Sequence, residues 1–250
     1  MFIPIGDDNS DRHRTPVINY ILVATNIAVF IFLQGMGSNA AFTFAYATVP
    51  AEILSGLDII TSPKVQEVVT GQWITVPGLQ PTPIPVYGTL ITSMFMHGGF
   101  AHLFGNMIYL WICGDNLENI MGHMRYLVFY LVCGVVASLA HVFTSAYTGQ
   151  SDLIPSLGAS GAISGVLGGY MLLFPSRRVH IWMLLTTISV PAFIAVGVWF
   201  LFQLVNGLGA LGGSEAGGVA YAAHIGGFIA GLMLVKLFTP TAISAQRRTF

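Results

Sequence analysis

A serine and a histidine, each in a glycine-containing stretch of an apolar run, are the residues of this chain best suited to nucleophilic chemistry. Ser160 lies in Gly-Ala-Ser-Gly, residues 158–161, and His224 lies in Ala-His-Ile-Gly-Gly, residues 223–227. A serine hydroxyl becomes an effective nucleophile when a neutral imidazole within about 2.6–3.2 Å accepts its proton. Taken singly, Ser160 also fits a small packing residue, and His224 an interhelical hydrogen bond. Because small residues let the two helices approach closely, His224 could come within hydrogen-bond reach of Ser160. Together the two residues therefore predict nucleophilic catalysis.

A second polar pattern lies earlier in the chain, where His102 and Asn106 are four residues apart. That spacing places both side chains on one face of a helix, and both can donate hydrogen bonds. They could therefore stabilise the negative oxygen of a tetrahedral intermediate. The alternative is a polar cluster that ties this helix to the outer loop before it.

The composition indicates that membrane helices must position these residues. Hydrophobic residues make up 54% of the 250-residue chain and charged residues only 8%, with a mean hydropathy of +0.75. Soluble domains carry about 25% charged residues, and a disordered chain has far less apolar surface. A net charge of −1 without a basic block argues against a nucleic-acid partner. Cys113 and Cys133 lie in apolar runs and are predicted to be buried thiols, and no metal or other cofactor is expected.

A bilayer core requires roughly 20 apolar residues per helix, and the apolar runs predict an all-α polytopic membrane protein with six transmembrane helices. The predicted spans are residues 16–34, 101–113, 126–145, 158–174, 179–206 and 217–238, the fifth being interrupted by Pro191. They form one membrane domain, 16–238, between an N-terminal arm, 1–15, and a C-terminal tail, 239–250. The arm is polar, so the first apolar run is predicted to remain as a membrane anchor rather than a cleaved leader.

The basic residues predict the orientation of the spans. Of the nine lysines and arginines, only Lys64 lies on the side opposite to the termini. By the positive-inside rule both termini are therefore cytoplasmic. The first outer connection, residues 35–88, is too long for a plain loop. It is either a structured outer lobe or a segment lying partly in the membrane interface, anchored by Trp73 and Tyr87.

Acidic residues do not occur deep in the predicted spans, where a charge would cost about 2.5–3.5 kcal/mol. Buried chemistry would therefore depend on neutral histidine, asparagine and serine. Ser160 follows an outer loop, and His224 lies toward the outer end of a helix that begins outside, so the two are predicted at matching depths. A serine–histidine dyad without a carboxylate is what this composition permits.

Taken in chain order, the His102–Asn106, Ser160 and His224 patterns resemble those of the rhomboid intramembrane serine proteases. The resemblance covers about residues 89–238 and rests on His-x-x-x-Asn in the second span, Gly-Ala-Ser-Gly opening the fourth and Ala-His-x-Gly-Gly in the sixth. Residues 114–118, Gly-Asp-Asn-Leu-Glu, also look like the family's Gly-x-x-x-Glu at the end of the second helix. The resemblance implies a rhomboid-like fold whose long first outer loop, 35–88, is membrane-associated.

The resemblance also implies roles for individual residues. Ser160 and His224 would be the catalytic dyad, and His102, Asn106 and the Ser160 backbone N–H would form the oxyanion hole. Structural support would come from other motif positions: His97, Gly158, Gly161, Gly227 and Glu118. The chain departs from the pattern of many members at three positions: Gly88-Thr89 replaces a Trp-Arg pair, and Ser164 replaces a tyrosine that stacks on the catalytic histidine. His224 is therefore expected to be oriented by other packing.

The implied function is an intramembrane serine endopeptidase that cuts transmembrane segments near the outer face. Its partners would be the lipid bilayer and transmembrane substrates with helix-destabilising Gly, Pro or β-branched residues near the cut, which would reach the site between spans two and five. A bacterial or archaeal plasma membrane is expected, because the chain shows a bare six-span core. The alternatives are a catalytically inactive rhomboid-like protein that binds membrane proteins, a histidine-ligated haem or metal protein, and a transporter.

Overall fold

The computed structural model describes residues 2–69, 72–149, 152–183, 185–211 and 220–240, and this part of the chain is mostly helical. Its α-helices are α1 (Val17–Ala28), α2 (Ala40–Tyr46), α3 (Pro50–Ser55), α4 (Thr89–Thr92), α5 (Phe100–Met121), α6 (His123–Thr148), α7 (Ser160–Leu173), α8 (Ala192–Leu211) and α9 (Tyr221–Phe238). The first helix continues as a π-helical segment, Val29–Leu33, and short 3-10 turns occur at Gly35–Gly37, Val86–Gly88 and Ser93–Phe95.

The predicted all-α class is only partly right, because the structure also contains two small antiparallel sheets. One has the order β1-β4-β5, and the other is a β2–β3 hairpin. Their strands are β1 (Phe2–Asp7), β2 (Lys64–Val69), β3 (Gln72–Val76), β4 (Arg178–Met183) and β5 (Thr186–Pro191). These short strands lie in the N-terminal arm and in two connections, outside the long helices.

The start predicted for the fifth span, at residue 179, is wrong. The apolar run there folds as the β4–β5 hairpin, and helix α8 begins only at Ala192. The segment 179–191 is rich in β-branched residues, which favour strands. Pro191 lacks a backbone N–H and suits the residue just before a helix better than its interior. The hydropathy of this segment therefore reflects an apolar hairpin joined to a helix.

Among the described residues, three helical segments are both long and apolar enough to cross a bilayer. They are His123–Thr148, Ala192–Gly209 and Tyr221–Phe238, while Val17–Leu33 and Ser160–Leu173 are apolar but shorter. The outer surfaces of α8 and α9 expose large apolar side chains such as Val198, Leu201 and Met233. Such continuous apolar surface fits contact with lipid. These helices fit an integral membrane protein.

Helix α7 lies at the centre of the helical packing, and every residue from 161 to 170 is buried. Its glycines allow neighbouring helices to approach closely. A Cβ atom added at Gly165 would lie 2.4 Å from the Cβ of Cys133 in α6, and one added at Gly231 in α9 would lie 2.0 Å from the Gly165 carbonyl oxygen. Small residues at such interfaces permit contact between backbones. The spacing of α7 and α9 is therefore set by main-chain contact.

Glu118 joins the end of α5 to the start of α1. Its carboxylate accepts hydrogen bonds from the backbone N–H groups of Ile18, at 2.9 Å, and Asn19, at 2.7 Å. These amides lie in the first turn of α1, where they have no partner within the helix. Gly114 leaves room for the adjoining hydrogen bond from Tyr126 to Asn19, because a Cβ there would lie within 2.3 Å of both side chains. This geometry gives a physical reason for the Gly-x-x-x-Glu spacing.

The N-terminal arm docks against the same end of the helices through β1 and its ion pairs. Arg12 contacts Asp115 at 2.7 Å. The Asp7 carboxylate accepts hydrogen bonds from the Tyr170 hydroxyl at 2.5 Å and the Asn116 amide at 2.8 Å. Burial raises the pKa of Asp7 from 3.8 to about 7, although the bond from Tyr170 opposes this shift. The docked arm therefore carries a carboxyl group that titrates near neutral pH.

The segment 35–88 is structured, since its described residues include α2, α3 and the β2–β3 hairpin. Paired backbone hydrogen bonds of 3.0 and 2.8 Å join Thr48 to Ser156, in the loop that precedes α7. Trp73 and Tyr87, the two residues predicted to anchor this segment in the interface, are both exposed. The segment 35–88 is thus tied directly to the loop that precedes Ser160.

Candidate active site

Ser160 is the first residue of α7, and the chain turns just before it at Gly158. Gly158 has a φ of +126°, in the region that favours glycine. Its N–H donates to the carbonyl oxygen of Ser93 at 2.9 Å. A Cβ at this position would lie 2.8 Å from Cε1 and 2.9 Å from Nε2 of His102. Because Gly158 has no side chain, the His102 ring can lie against the turn formed by residues 158–160, the serine loop.

His224 lies in the first turn of α9, and its Nε2 atom is 2.8 Å from the Oγ atom of Ser160. Its backbone N–H donates to the Ala220 carbonyl at 3.2 Å. The first residues of the predicted sixth span, 217–219, lie outside the described residues. The structure thus brings into hydrogen-bond contact the serine and the histidine that the sequence paired.

The contact depends on how closely α7 and α9 pack beside it. A Cβ at Gly227 would lie 2.1 Å from the carbonyl oxygen of Gly161, and a Cβ at Gly161 would lie 2.7 Å from the Cβ of Ala137 in α6. Gly161 follows Ser160 directly, and Gly227 is one turn beyond His224 on α9. These two glycines therefore fix the backbone separation at the position of the reactive side chains.

Helix α8 supplies a contact to His224 that the sequence analysis missed. The Oε1 atom of Gln203 lies 2.8 Å from Nδ1 of His224, and the Gln203 side chain is buried. The Trp199 ring lies 6.1 Å from the imidazole, tilted by 36°. Ser164 instead donates its hydroxyl to the Ser160 carbonyl at 2.6 Å. His224 is thus held by Gln203 and Trp199 rather than by the family's tyrosine. The available signal was a glutamine in a largely apolar helix.

His102 and Asn106 lie on one face of α5, as predicted. The Nδ1 atom of His102 accepts a hydrogen bond from the Gly98 N–H at 3.3 Å, so in a neutral ring the proton resides on Nε2. That Nε2 atom lies against Gly158, close to Ser160. Asn106 donates to the His102 carbonyl at 2.9 Å and is largely buried. Of the two side chains, His102 therefore has its donor directed toward the serine loop.

His97 is fully buried at the bend before α5. Both backbone groups of His97 are bound by the Gln34 side chain, with distances of 2.9 Å to its N–H and 3.0 Å to its carbonyl oxygen. Its ring contacts that of His102 edge-on, with 5.1 Å between centroids. Neither ring nitrogen has a hydrogen-bond partner among the described residues. The contacts of His97 therefore fix the bend from which His102 extends.

A cavity of about 20 Å³ lies beside Ser160, lined in part by Ser93, Ser138 and Ser156. A volume of this size is enough for roughly one water molecule. Within the ranges described by the structure, no three or more histidine, cysteine or acidic side chains are grouped as metal ligands would be. The groups that meet at this site are the Ser160 hydroxyl, the imidazoles of His102 and His224, and side-chain and backbone amides.

Comparison with known proteins places the site in a recognised domain. Residues 86–241 match the Rhomboid domain. The chain is 34% identical over 161 residues to Rhomboid protein 1, mitochondrial, of Saccharomyces cerevisiae, covering 64% of this chain and 44% of that protein. It is 28% identical over 215 residues to Rhomboid protease GluP of Bacillus subtilis, covering 85% and 36%. It is 30% identical over 153 residues to human Presenilin-associated rhomboid-like protein, mitochondrial, covering 58% and 36%. The chain thus spans less than half the length of each of these relatives.

The fold and the site define a largely helical protein with membrane-compatible helices, in which a serine and a histidine meet between glycine-packed helices. The chain belongs to the rhomboid family, since the domain match covers more than half of its residues.

Proposed function

We propose that this protein is an intramembrane serine endopeptidase that uses Ser160 as nucleophile and His224 as general base. The observation that carries the proposal is the 2.8 Å contact between Ser160 Oγ and His224 Nε2. A serine hydroxyl and an imidazole in such contact are the parts needed to activate a nucleophile. The name of one relative, Rhomboid protease GluP, supports the same activity.

In the first half of the reaction, Ser160 Oγ attacks the carbonyl carbon of the scissile peptide bond while His224 Nε2 takes the hydroxyl proton. The carbonyl oxygen becomes an oxyanion. His224 then donates its proton to the leaving amine, the C–N bond breaks and an acyl-enzyme remains. In the second half, water attacks the ester carbonyl while His224 takes one of its protons. His224 then returns that proton to Ser160 Oγ as the acyl C–O bond breaks, which releases the carboxylic acid and restores the serine.

The oxyanion would face the His102 side chain, the Asn106 amide and the Ser160 backbone N–H. The Ser160 amide is at the first position of α7, where backbone donors have no partner in their own helix. His102 has its Nε2 atom at the serine loop. Loss of one such donor typically lowers the rate about 10²–10³-fold. His97, Gly158, Gly161 and Gly227 act by holding these groups in place, while Glu118 ties α5 to α1.

We further propose that α1, α5, α6, α7, α8 and α9 are the six transmembrane segments, with both termini in the cytoplasm as the basic residues predict. Helix α7 has 14 residues, which correspond to about 21 Å at 1.5 Å per residue. This is shorter than a hydrocarbon core of about 30 Å, so Ser160 would lie below the outer surface. The segment 35–88 would contact the membrane through exposed residues such as Trp73. A plasma membrane stays a prediction, since two of the compared relatives are named mitochondrial.

The substrates of such a site are transmembrane segments that can unfold locally. A helix hides its carbonyl groups in hydrogen bonds, so glycine, proline or β-branched residues near the cut lower the cost of exposing one. Access would be lateral, between α5 and α8. The lipid bilayer itself is the second partner.

The test is labelling by a fluorophosphonate in detergent, followed by cleavage of a transmembrane reporter in vesicles. The wild-type protein is expected to react, and the variants Ser160→Ala and His224→Ala are not. Equal labelling of Ser160→Ala and wild type would remove Ser160 from the mechanism. A folded wild-type protein that binds the reporter without labelling or cutting would instead identify an inactive, membrane-protein-binding member of the family.

A further inference from the structure

Two side chains of α8, Trp199 and Gln203, face His224. They are four residues apart and therefore share one face of the helix. Gln203 is 6% exposed although it lies in an apolar helix, and its Oε1 atom is 2.8 Å from His224 Nδ1. A buried amide in contact with His224 affects the orientation of its ring and the position of its proton.

The contact determines which nitrogen of His224 carries the proton. A neutral imidazole has one donor nitrogen and one acceptor nitrogen. The amide oxygen of Gln203 can only accept, so Nδ1 must be the donor. The unprotonated Nε2 atom then faces the Ser160 hydroxyl at 2.8 Å. This is the tautomer that can remove the serine proton.

We propose that Gln203 is the positioning residue of this site, which orients His224 and fixes its tautomer from helix α8. This inference rests on the proposed function and names the residue that positions its general base. Hydrolases on other folds use an amide in the same place, as in the Cys-His-Asn arrangement. An amide performs this task without a second buried charge, which is costly at this depth.

The three residues also lie on helices that are packed differently. Ser160 and His224 lie on α7 and α9, whose backbones are in contact at Gly161 and Gly227. Gln203 lies on α8, which follows the β4–β5 hairpin. Movement of α8 alone would leave the distance between Ser160 and His224 unchanged and remove the acceptor at Nδ1. The docked position of α8 therefore supplies the acceptor that orients the base.

The test compares Gln203→Met, which keeps the length of the side chain without the amide, with Gln203→Glu, which can only accept. The matched control is Asn206→Leu, because Asn206 is on the same helix and its side chain, among the described residues, donates to the Phe202 carbonyl at 2.7 Å rather than contacting His224. The measurement is the fluorophosphonate labelling rate as a function of pH. The other titratable groups facing His224 are His102 of α5, His141 of α6 and Tyr221 of α9, and none of these variants changes them.

Gln203→Met is expected to label about tenfold more slowly than wild type, corresponding to the loss of one hydrogen bond to the base. Gln203→Glu is expected to label, with the acidic limb of its pH profile moved to higher pH, because a neighbouring carboxylate favours the imidazolium. Asn206→Leu is expected to match wild type. Faster labelling by Gln203→Glu than by Gln203→Met, at a pH above the acidic limb, is the signature of an acceptor at Nδ1, because a role in packing alone would not depend on that acceptor.

Wild-type labelling by Gln203→Met, with an unchanged pH profile, overturns the role of Gln203 and leaves the proposed function standing. Labelling that does not depend on Ser160 overturns the proposed function itself. If Gln203→Glu fails a thermal unfolding check, the comparison of Gln203→Met with Asn206→Leu decides the matter alone: equal rates contradict the proposal, and a tenfold difference supports it.

Discussion

The variant Gly227→Ala tests whether main-chain contact between α7 and α9 sets the geometry of the site. The added Cβ would lie 2.1 Å from the Gly161 carbonyl oxygen, whereas real Cβ contacts are essentially never closer than 3.0 Å. The obstacle is backbone, which cannot rotate away as a side chain can. The two helices must therefore separate by about 1 Å in a closely packed interior.

A separation of that size acts directly on the reacting groups, because Gly161 is next to Ser160 and Gly227 is one turn from His224. Added to the 2.8 Å between Oγ and Nε2, it takes the pair beyond hydrogen-bond range. A misplacement of about 1 Å costs on the order of 10²-fold in rate. Overpacking of the interface should also lower the stability by about 1–3 kcal/mol.

The assay is the fluorophosphonate labelling rate, measured beside a thermal unfolding curve in the same detergent. Gly227→Ala is expected to label about 10²-fold more slowly than wild type while still unfolding cooperatively. The control is Gly197→Ala on α8, where a Cβ meets nothing within 4 Å, and it should behave as wild type. Wild-type labelling by Gly227→Ala would show that contact between Gly161 and Gly227 does not set the dyad distance.

Two further predictions concern the opposite end of the helices. Because burial raises the pKa of Asp7 from 3.8 to about 7, docking of β1 on β4 should be strongest below about pH 4 and weaken as the pH rises through 7; hydrogen-exchange protection of β1 should follow this trend, and Asp7→Asn should abolish it. Glu118→Ala leaves the N–H groups of Ile18 and Asn19 without their acceptor and should destabilise the protein by about 3 kcal/mol. Glu118→Gln, which keeps one acceptor oxygen, should lose less, and equal thermal unfolding midpoints for Glu118→Ala and wild type would contradict this role.

The long helices were accessible from the sequence because burial in lipid or in protein requires continuous apolar runs. The predicted third span, 126–145, lies within α6, and the predicted fourth span, 158–174, contains all of α7. The fifth span failed at its start because hydropathy does not distinguish an apolar hairpin from a helix over 179–191. The pairing of β4 with β1 joins segments at opposite ends of the chain, and no local pattern contains that information.

Some residues of the site could be identified from the sequence, and one could not. Ser160 and His224 were identified because each lies in a short motif of characteristic small residues, and such motifs are local. Gln203 has no motif, since a single glutamine in an apolar helix indicates only that some partner is near. Its partner, His224, is 21 residues away on another helix, and only the packing of α8 against α9 selects it.

What the sequence determined by itself was the chemistry available: a membrane-embedded chain with few charges and a serine and a histidine in glycine-rich surroundings. The tertiary structure decided how those groups are arranged. Glycines with no side chain to hold them apart let α7 and α9 meet backbone to backbone, which sets the distance between Ser160 and His224. The position of α8 then directs an amide oxygen at the far nitrogen of the imidazole. Distances and proton positions depend on contacts between segments far apart in the chain, and for that reason they follow from the fold rather than from any local pattern.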